Sequence, residues 1–127
     1  MDEDIRKWVK PSEYDVETAK AMLNARKYLY VLFCCQQAVE KLLKAVIVKE
    51  KKQFPPKIHD LLRLVQMTSL EPDEKQRDFL DRLNAYYIET RYPDEVLSLS
   101  KGLTGRLANA YLSGTEEILR WIRKVLK

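Results

Sequence analysis

The chain has only three glycines and five prolines in 127 residues. That supplies too few turn formers for a series of short strands and favours helix over sheet. Histidine occurs once, as His59, and cysteine twice, as Cys34 and Cys35, so no Cys/His set exists for structural zinc. The cysteines are adjacent in an apolar helical segment and point about 100° apart. A disulfide between them is sterically poor, and they read as small buried thiols. No run of about 18 apolar residues is present to span a bilayer. Nor is there a charged start followed by an apolar run and a small-residue cleavage site, so a cytoplasmic protein without a membrane partner is expected. HExxH, a glycine-rich phosphate loop and GxSxG are all missing, which removes support for zinc protease, P-loop and α/β-hydrolase readings. Neither a metal nor a cofactor is expected.

What is present is helical periodicity over almost the whole length, with 46% hydrophobic and 33% charged residues. The 23 basic and 19 acidic residues give a net charge of +4 and are mostly interleaved, enough only for weak steering of an anionic partner. Five helices are predicted in one domain over residues 1–127. The first spans residues 2–26 with a kink or break around Pro11, after which Ser12 and Asp15 have the spacing of a capping box with Asp in place of Glu; Ile5, Trp8, Val16, Ala19 and Leu23 form its inward stripe. The second spans residues 28–51. Its apolar arc, which includes Leu32, Cys35, Val39, Leu42 and Val46, is far wider than the stripe of a surface helix, which places it at the centre of a bundle. Its narrower polar arc carries Gln36, Gln37, Glu40, Lys41 and Lys44, with Phe33 and Ile47 embedded as a candidate site or subunit contact. A third helix at residues 58–67 follows the break at Pro55 and Pro56, with Asp60 in its first turn. Pro72 and Asp73 open a fourth, which runs to about Arg91, where Pro93 stops it. "PDEVLSLSKG" reads as a loop, and a fifth helix at residues 103–125 repeats Leu107, Tyr111, Gly114, Ile118, Trp121 and Val125.

Most constellations have a plain reading. The carboxylates Glu116 with Glu117, and Glu89 with Asp94 and Glu95, suit a solvated face. Lys49, Lys51, Lys52 and Lys57 answer the negative end of the second helix's dipole, although lysines there could also meet phosphates. His59 reads as a capping or packing residue, and the tyrosines 86, 87 and 92 as core aromatics before stacking platforms for bases. Arg91 stands apart, because helical steps back from it reach Tyr87 and Leu83. A guanidinium on that stripe must be paired or left to receive an anion.

The order "FCCQQAVEKLLKA", "KIHDLLRL", "YYIETRYPDE" and "EEILRWIRKVL" resembles the HEPN domain of bacteria and archaea from about Trp8 to Leu126. The resemblance implies an all-α, up-and-down helical bundle, often a homodimer, and in many cases a partner of a minimal nucleotidyltransferase. Many HEPN proteins are metal-independent ribonucleases or toxins whose site is an arginine followed, after four to six intervening residues, by a histidine. Arg91 matches that arginine, but Val96, Leu97 and Ser98 occupy the histidine positions. His59 matches instead the histidine of the family's "HDL" helix start. Without the imidazole the usual proton carrier for RNA cleavage is absent. The remaining implied role is binding of a nucleotide or RNA, or pairing with a nucleotidyltransferase, as in a toxin–antitoxin pair. The residues singled out for it are Gln37, Glu40, Lys44, Arg91 and Tyr92, with Arg91 holding a phosphate, Lys44 assisting, and Glu40 positioning Lys44 or meeting a ribose hydroxyl. No catalytic residue is assigned; a ribonuclease with a non-standard base, or a purely structural partner in which Arg91 pairs with Glu40 or Asp94, are the alternatives.

Overall fold

The computed structural model describes residues 1–127 and contains six helices and no strand. They are α1 (Glu3–Asn24), α2 (Tyr28–Lys51), α3 (Leu61–Gln66), α4 (Glu74–Asn84), α5 (Pro93–Ser100) and α6 (Gly105–Arg123). A short turn joins α1 to α2 as an antiparallel hairpin, and α2 packs against all five other helices. From Leu42 to Ile47 every residue of α2 is buried, a stretch longer than one turn, so the helix is covered on all sides. Ala19 of α1, Leu61 and Leu64 of α3, Leu80 and Leu83 of α4, and Ile122 of α6 complete the core around it.

The central position of α2 confirms the reading of its wide apolar arc, but three local expectations are overturned. Proline does not break α1, which continues through Pro11. Immediately after it the Ser12 hydroxyl, fully buried, donates to the Ala38 carbonyl at 2.7 Å, and Lys41 meets Asp15 at 2.7 Å. These ties hold the segment on α2, so Ser12 and Asp15 serve the hairpin and do not cap a new helix. Ile47 is fully enclosed by the protein's own core and has no surface to offer a second subunit; Phe33 is half-buried, with its ring 6.2 Å from that of Tyr87.

The third correction concerns the chain around Arg91. The fourth helix ends at Asn84, and "PDEVLSLS" is itself helical, which raises the count from five to six. Asn84 explains the stop: its Oδ1 accepts the Leu61 N–H at 2.8 Å while its Nδ2 donates to Asp60 Oδ1 at 3.0 Å. Pro93, read as a stop, is the first residue of α5, where its fixed φ and missing N–H suit a helix start. Arg91 therefore lies in a turn, with its N–H donating to the Ile88 carbonyl at 3.1 Å, and not on a helical stripe with Tyr87 and Leu83.

Other ends follow their sequence signals closely. Asp73 forms a capping box with Gln76, Asp60 caps α3 and Thr104 caps α6. The buried face of α6 is centred on Tyr111, Thr115, Ile118 and Ile122, leaving Leu107 exposed. Gly114 lies where Phe79 of α4 crosses, and a Cβ there would come within 2.5 Å of the Phe79 ring.

Both cysteines are buried and unpaired. Burial, with the Asp15 charge adding to it, raises the Cys34 thiol to about 11, and burial raises Cys35 to about 12. Little thiolate forms at pH 8, so thiol reagents are expected to label the folded protein slowly and the urea-unfolded chain quickly. The unfolded state loses these protons first, so stability should decline as pH rises past about 9. Denaturation midpoints measured across that range check the sign.

Candidate functional site

The polar arc of α2 is an interior ladder. Gln36, Glu40 and Lys44 follow one another at helical spacing and are all buried, Glu40 and Lys44 at 5% exposure each. An anionic carboxylate in such a position needs donors on every side, and it has them. Lys44 Nζ donates to Glu40 Oε2 at 3.0 Å, and Gln36 Nε2 donates to Oε1 at 3.2 Å. His59 Nδ1 lies 3.1 Å from both Glu40 oxygens. Gln36 Nε2 also donates to the His59 carbonyl at 3.0 Å, so the residue is held by backbone and side chain together. Behind this set, Lys44 Nζ sits 5.7 Å from the centre of the Trp8 ring, a cation–π distance.

The His59 ring is then clasped from its flat side. Tyr87 stacks on it with ring centres 3.9 Å apart and planes inclined by 13°. Tyr87 in turn donates its hydroxyl to Glu89 Oε2 at 3.1 Å. Burial pushes the Tyr87 phenol up to about 12, with the Glu89 hydrogen bond and the charges of Glu89 and Glu40 adding to it. Four residues on, Arg91 Nη1 donates to Glu95 Oε2 at 3.2 Å, and the Tyr92 N–H donates to Glu95 Oε1 at 3.3 Å. Arg91 Nε is buried and has no partner. The pairing of Arg91 is thus with Glu95, not with Glu40 or Asp94.

His59 and Arg91 open into one cavity of about 410 Å³, whose wall also includes Asp60, Asn84, Thr90 and Glu95. That volume is within the range of about 300–1,000 Å³ typical of small-molecule sites. A larger cavity of about 820 Å³ lies toward the C-terminal end of α2, near Trp8, Lys49 and Phe54. Its charged groups are mostly already satisfied: Asp2 caps α1, Lys7 is 3.6 Å from Asp4, Lys41 meets Asp15, and Lys49 donates to the Val125 and Lys127 carbonyls. Of these two cavities, the smaller alone has a guanidinium on its wall.

Of the five residues singled out in the sequence, Arg91 alone lines this cavity. Glu40 stands one hydrogen bond behind it through His59, and Lys44 one further back, its ammonium enclosed between Glu40 and Trp8. Gln37 donates to Gln36 Oε1 at 2.8 Å and orients the ladder. The Tyr92 side chain is 77% exposed and points away to solvent. His59 and Tyr87 read in sequence as packing residues, yet they form the cavity's floor together. The available signal was the Gln36–Glu40–Lys44 ladder on an otherwise apolar helix, since a buried carboxylate demands a further donor and the chain has a single histidine.

The HEPN domain profile matches residues 5–125. The chain belongs to the HEPN domain family. Among solved structures, TT1696 from Thermus thermophilus superposes with a TM-score of 0.79 at 23% identity, covering 95% of this chain and 97% of that one. ST0689, an archaeal HEPN homologue, superposes with a TM-score of 0.74 at 23% identity, covering 97% and 98% respectively. At that identity the likeness is one of fold. A comparison with curated proteins finds no match.

The ladder predicts an asymmetric response to mutation. Lys44→Met leaves Glu40 buried without its cation and is expected to cost about 3–5 kcal/mol, whereas Glu40→Gln combined with Lys44→Met removes both charges while keeping an acceptor for Gln36 and His59, and should recover most of that loss. Urea unfolding of the parent, single and double variants provides the check.

Proposed function

We propose that this HEPN protein binds a nucleotide, or a macromolecular partner bearing one, in the Arg91 cavity. The observation that carries the reading is the guanidinium: one arm is held by Glu95, and the side chain, about a third exposed, lines the cavity wall. A fixed cation with donors to spare is suited to a phosphate. Tyr87 and His59 line the same cavity, and a base or sugar packs well against aromatic side chains. Family membership supports the rest of the reading: a cytoplasmic homodimer that pairs with a minimal nucleotidyltransferase, as in a toxin–antitoxin pair. No helix is long and apolar enough to cross a membrane.

A second reading, cleavage of RNA, is favoured by one observation. The positions that carry the family's histidine hold Val96, Leu97 and Ser98, but His59 reaches the same cavity as Arg91 from a different part of the chain. An imidazole backed by a carboxylate is a competent general base.

Calorimetry with a nucleotide panel at low salt tests the first reading. Binding should be measurable, should weaken as salt is raised, and should fall by at least about tenfold in Arg91→Ala. Equal binding by Arg91→Ala would remove the site assignment. Incubation of purified protein with total RNA tests the second: cleavage that disappears in His59→Ala supports it, and intact RNA counts against it.

A further inference from the structure

We propose that the end of the bundle where α1 turns into α2 and α5 passes into α6 is a docking surface for an acidic segment of a partner protein, one that carries a large apolar side chain between its carboxylates. The surface shares no residue with the Arg91 cavity and stands whether or not a nucleotide binds there.

Charge along the chain is interleaved except in two stretches. Neither residues 18–39 nor residues 96–115 contain a carboxylate, yet together they hold Lys20, Arg26, Lys27, Lys101 and Arg106. Folding brings the two stretches side by side. Residues 26–30 share one small cavity with Ser100 and Leu103, and Gly105 lies against Tyr28, where a Cβ would fall 3.1 Å from the phenol oxygen. Lys20 is paired with Glu116 at 3.5 Å. The other four cations are exposed and belong to no ion pair.

Three of these four stand where the fold is poorly served by a cation. Arg26 is the C′ residue of a Schellman motif that closes α1: its N–H donates to the Leu23 carbonyl at 3.1 Å, and the Lys27 N–H donates to the Met22 carbonyl at 2.9 Å. Its φ of 62° is the left-handed conformation that glycine adopts freely and other residues adopt at a cost. Lys27 is the N-cap of α2 and makes no side-chain cap, at a position that favours Ser, Thr, Asp or Asn. Arg106 lies in the first turn of α6. Lys27 and Arg106 thus face the positive ends of helix dipoles, and neither α2 nor α6 has an acid in its first turn. Arg26 and Lys101 do answer the negative ends of α1 and α5, but for Arg26 this comes with the strained backbone. Local choices that disagree with the fold, without an internal partner to offset them, mark a surface shaped for something outside the chain.

Uncompensated cations select an anionic partner. A second copy presenting the same surface across a two-fold axis would set these cations against their like, which argues against it. The cavity among them, about 280 Å³, is smaller than the range of about 300–1,000 Å³ typical of small-molecule sites. Leu29 and Leu103 form its wall with Tyr28 and Tyr30. A single apolar side chain suits such a space, as an anchor does at a protein interface. Nucleic-acid bases seek aromatic faces, whereas an apolar side chain flanked by Asp or Glu satisfies the leucines and the cations together.

The probe is a fluorescein-labelled seven-residue peptide with phenylalanine at its centre and Asp or Glu elsewhere, titrated by fluorescence anisotropy at low salt. Saturable binding is expected, about tenfold weaker when that phenylalanine is alanine. Arg26→Gly combined with Lys27→Asp should weaken it by at least about tenfold, and Arg106→Glu by about fivefold, while Arg91→Ala should bind as the parent does. The Arg26→Gly, Lys27→Asp variant should also melt at or above the parent's temperature, since glycine fits the left-handed position and an acid suits the start of α2. A lower melting temperature would show that the fold needs these cations and would overturn the proposal. So would absence of saturable binding, equal affinity for the alanine peptide, or indifference to the double variant. Tighter binding of an oligouridylate of equal charge through the same residues would make this a nucleic-acid surface instead. Loss of self-association in the double variant, read by sedimentation, would make it a contact between copies, and either result rejects the acidic segment.

Discussion

A carboxylate placed inside the central helix of a small bundle has to be surrounded by donors, and in this protein Glu40 sets the arrangement of everything on one side of α2. Its own helix provides Lys44 and Gln36, but the last donor comes from the chain beyond α2, at His59. Once His59 is fastened there by side chain and carbonyl, the next residue, Asp60, is in place to cap α3. Asp60 and Leu61 then bind Asn84, which ends α4. The turn that follows carries Tyr87 onto the histidine and Arg91 into the space beside it. Each step is a short-range polar contact. Together they convert one buried charge into a cavity.

The helical layout was legible because it rests on periodicity and on capping residues that act locally. The breadth of the apolar arc on α2 announces a helix without a free face, and Pro72 with Asp73 announces the start of α4. What was not legible depends on partners far away in the chain. Proline at position 11 argues for a break, but the buried Ser12 hydroxyl bonded to Ala38 overrides it. Proline at position 93 is ambiguous by itself, since the same fixed φ can follow a helix or begin one. Only Asn84 decides, and its role lies in bonds to residues 23 and 24 positions earlier.

The candidate site shows the same division. Arg91 stood out because a permanent cation among apolar and aromatic neighbours is costly wherever it falls. Glu40 and Lys44 stood out for the same reason, but spacing along a helix does not say whether a polar strip faces water, a ligand or a buried neighbour. Here it faces inward, and the two residues act through His59. That histidine is the one the family's "HDL" helix start accounts for, so in sequence its position had a sufficient structural explanation. In three dimensions it reaches the cavity wall that Arg91 occupies, while the residues spaced for the family's own histidine fall on α5, with Val96 half-buried and Leu97 exposed.

Asn84 has one more consequence. By joining the start of α3 to the end of α4, its amide makes the two walls of the cavity parts of a single rigid seat. On the proposed reading, a nucleotide there would meet groups whose rotational freedom was already given up when the chain folded, so less entropy would be lost on association. Affinity in such a seat is governed by shape and charge, and on the proposed reading a substitution at Asn84 would weaken binding without altering Arg91 or His59.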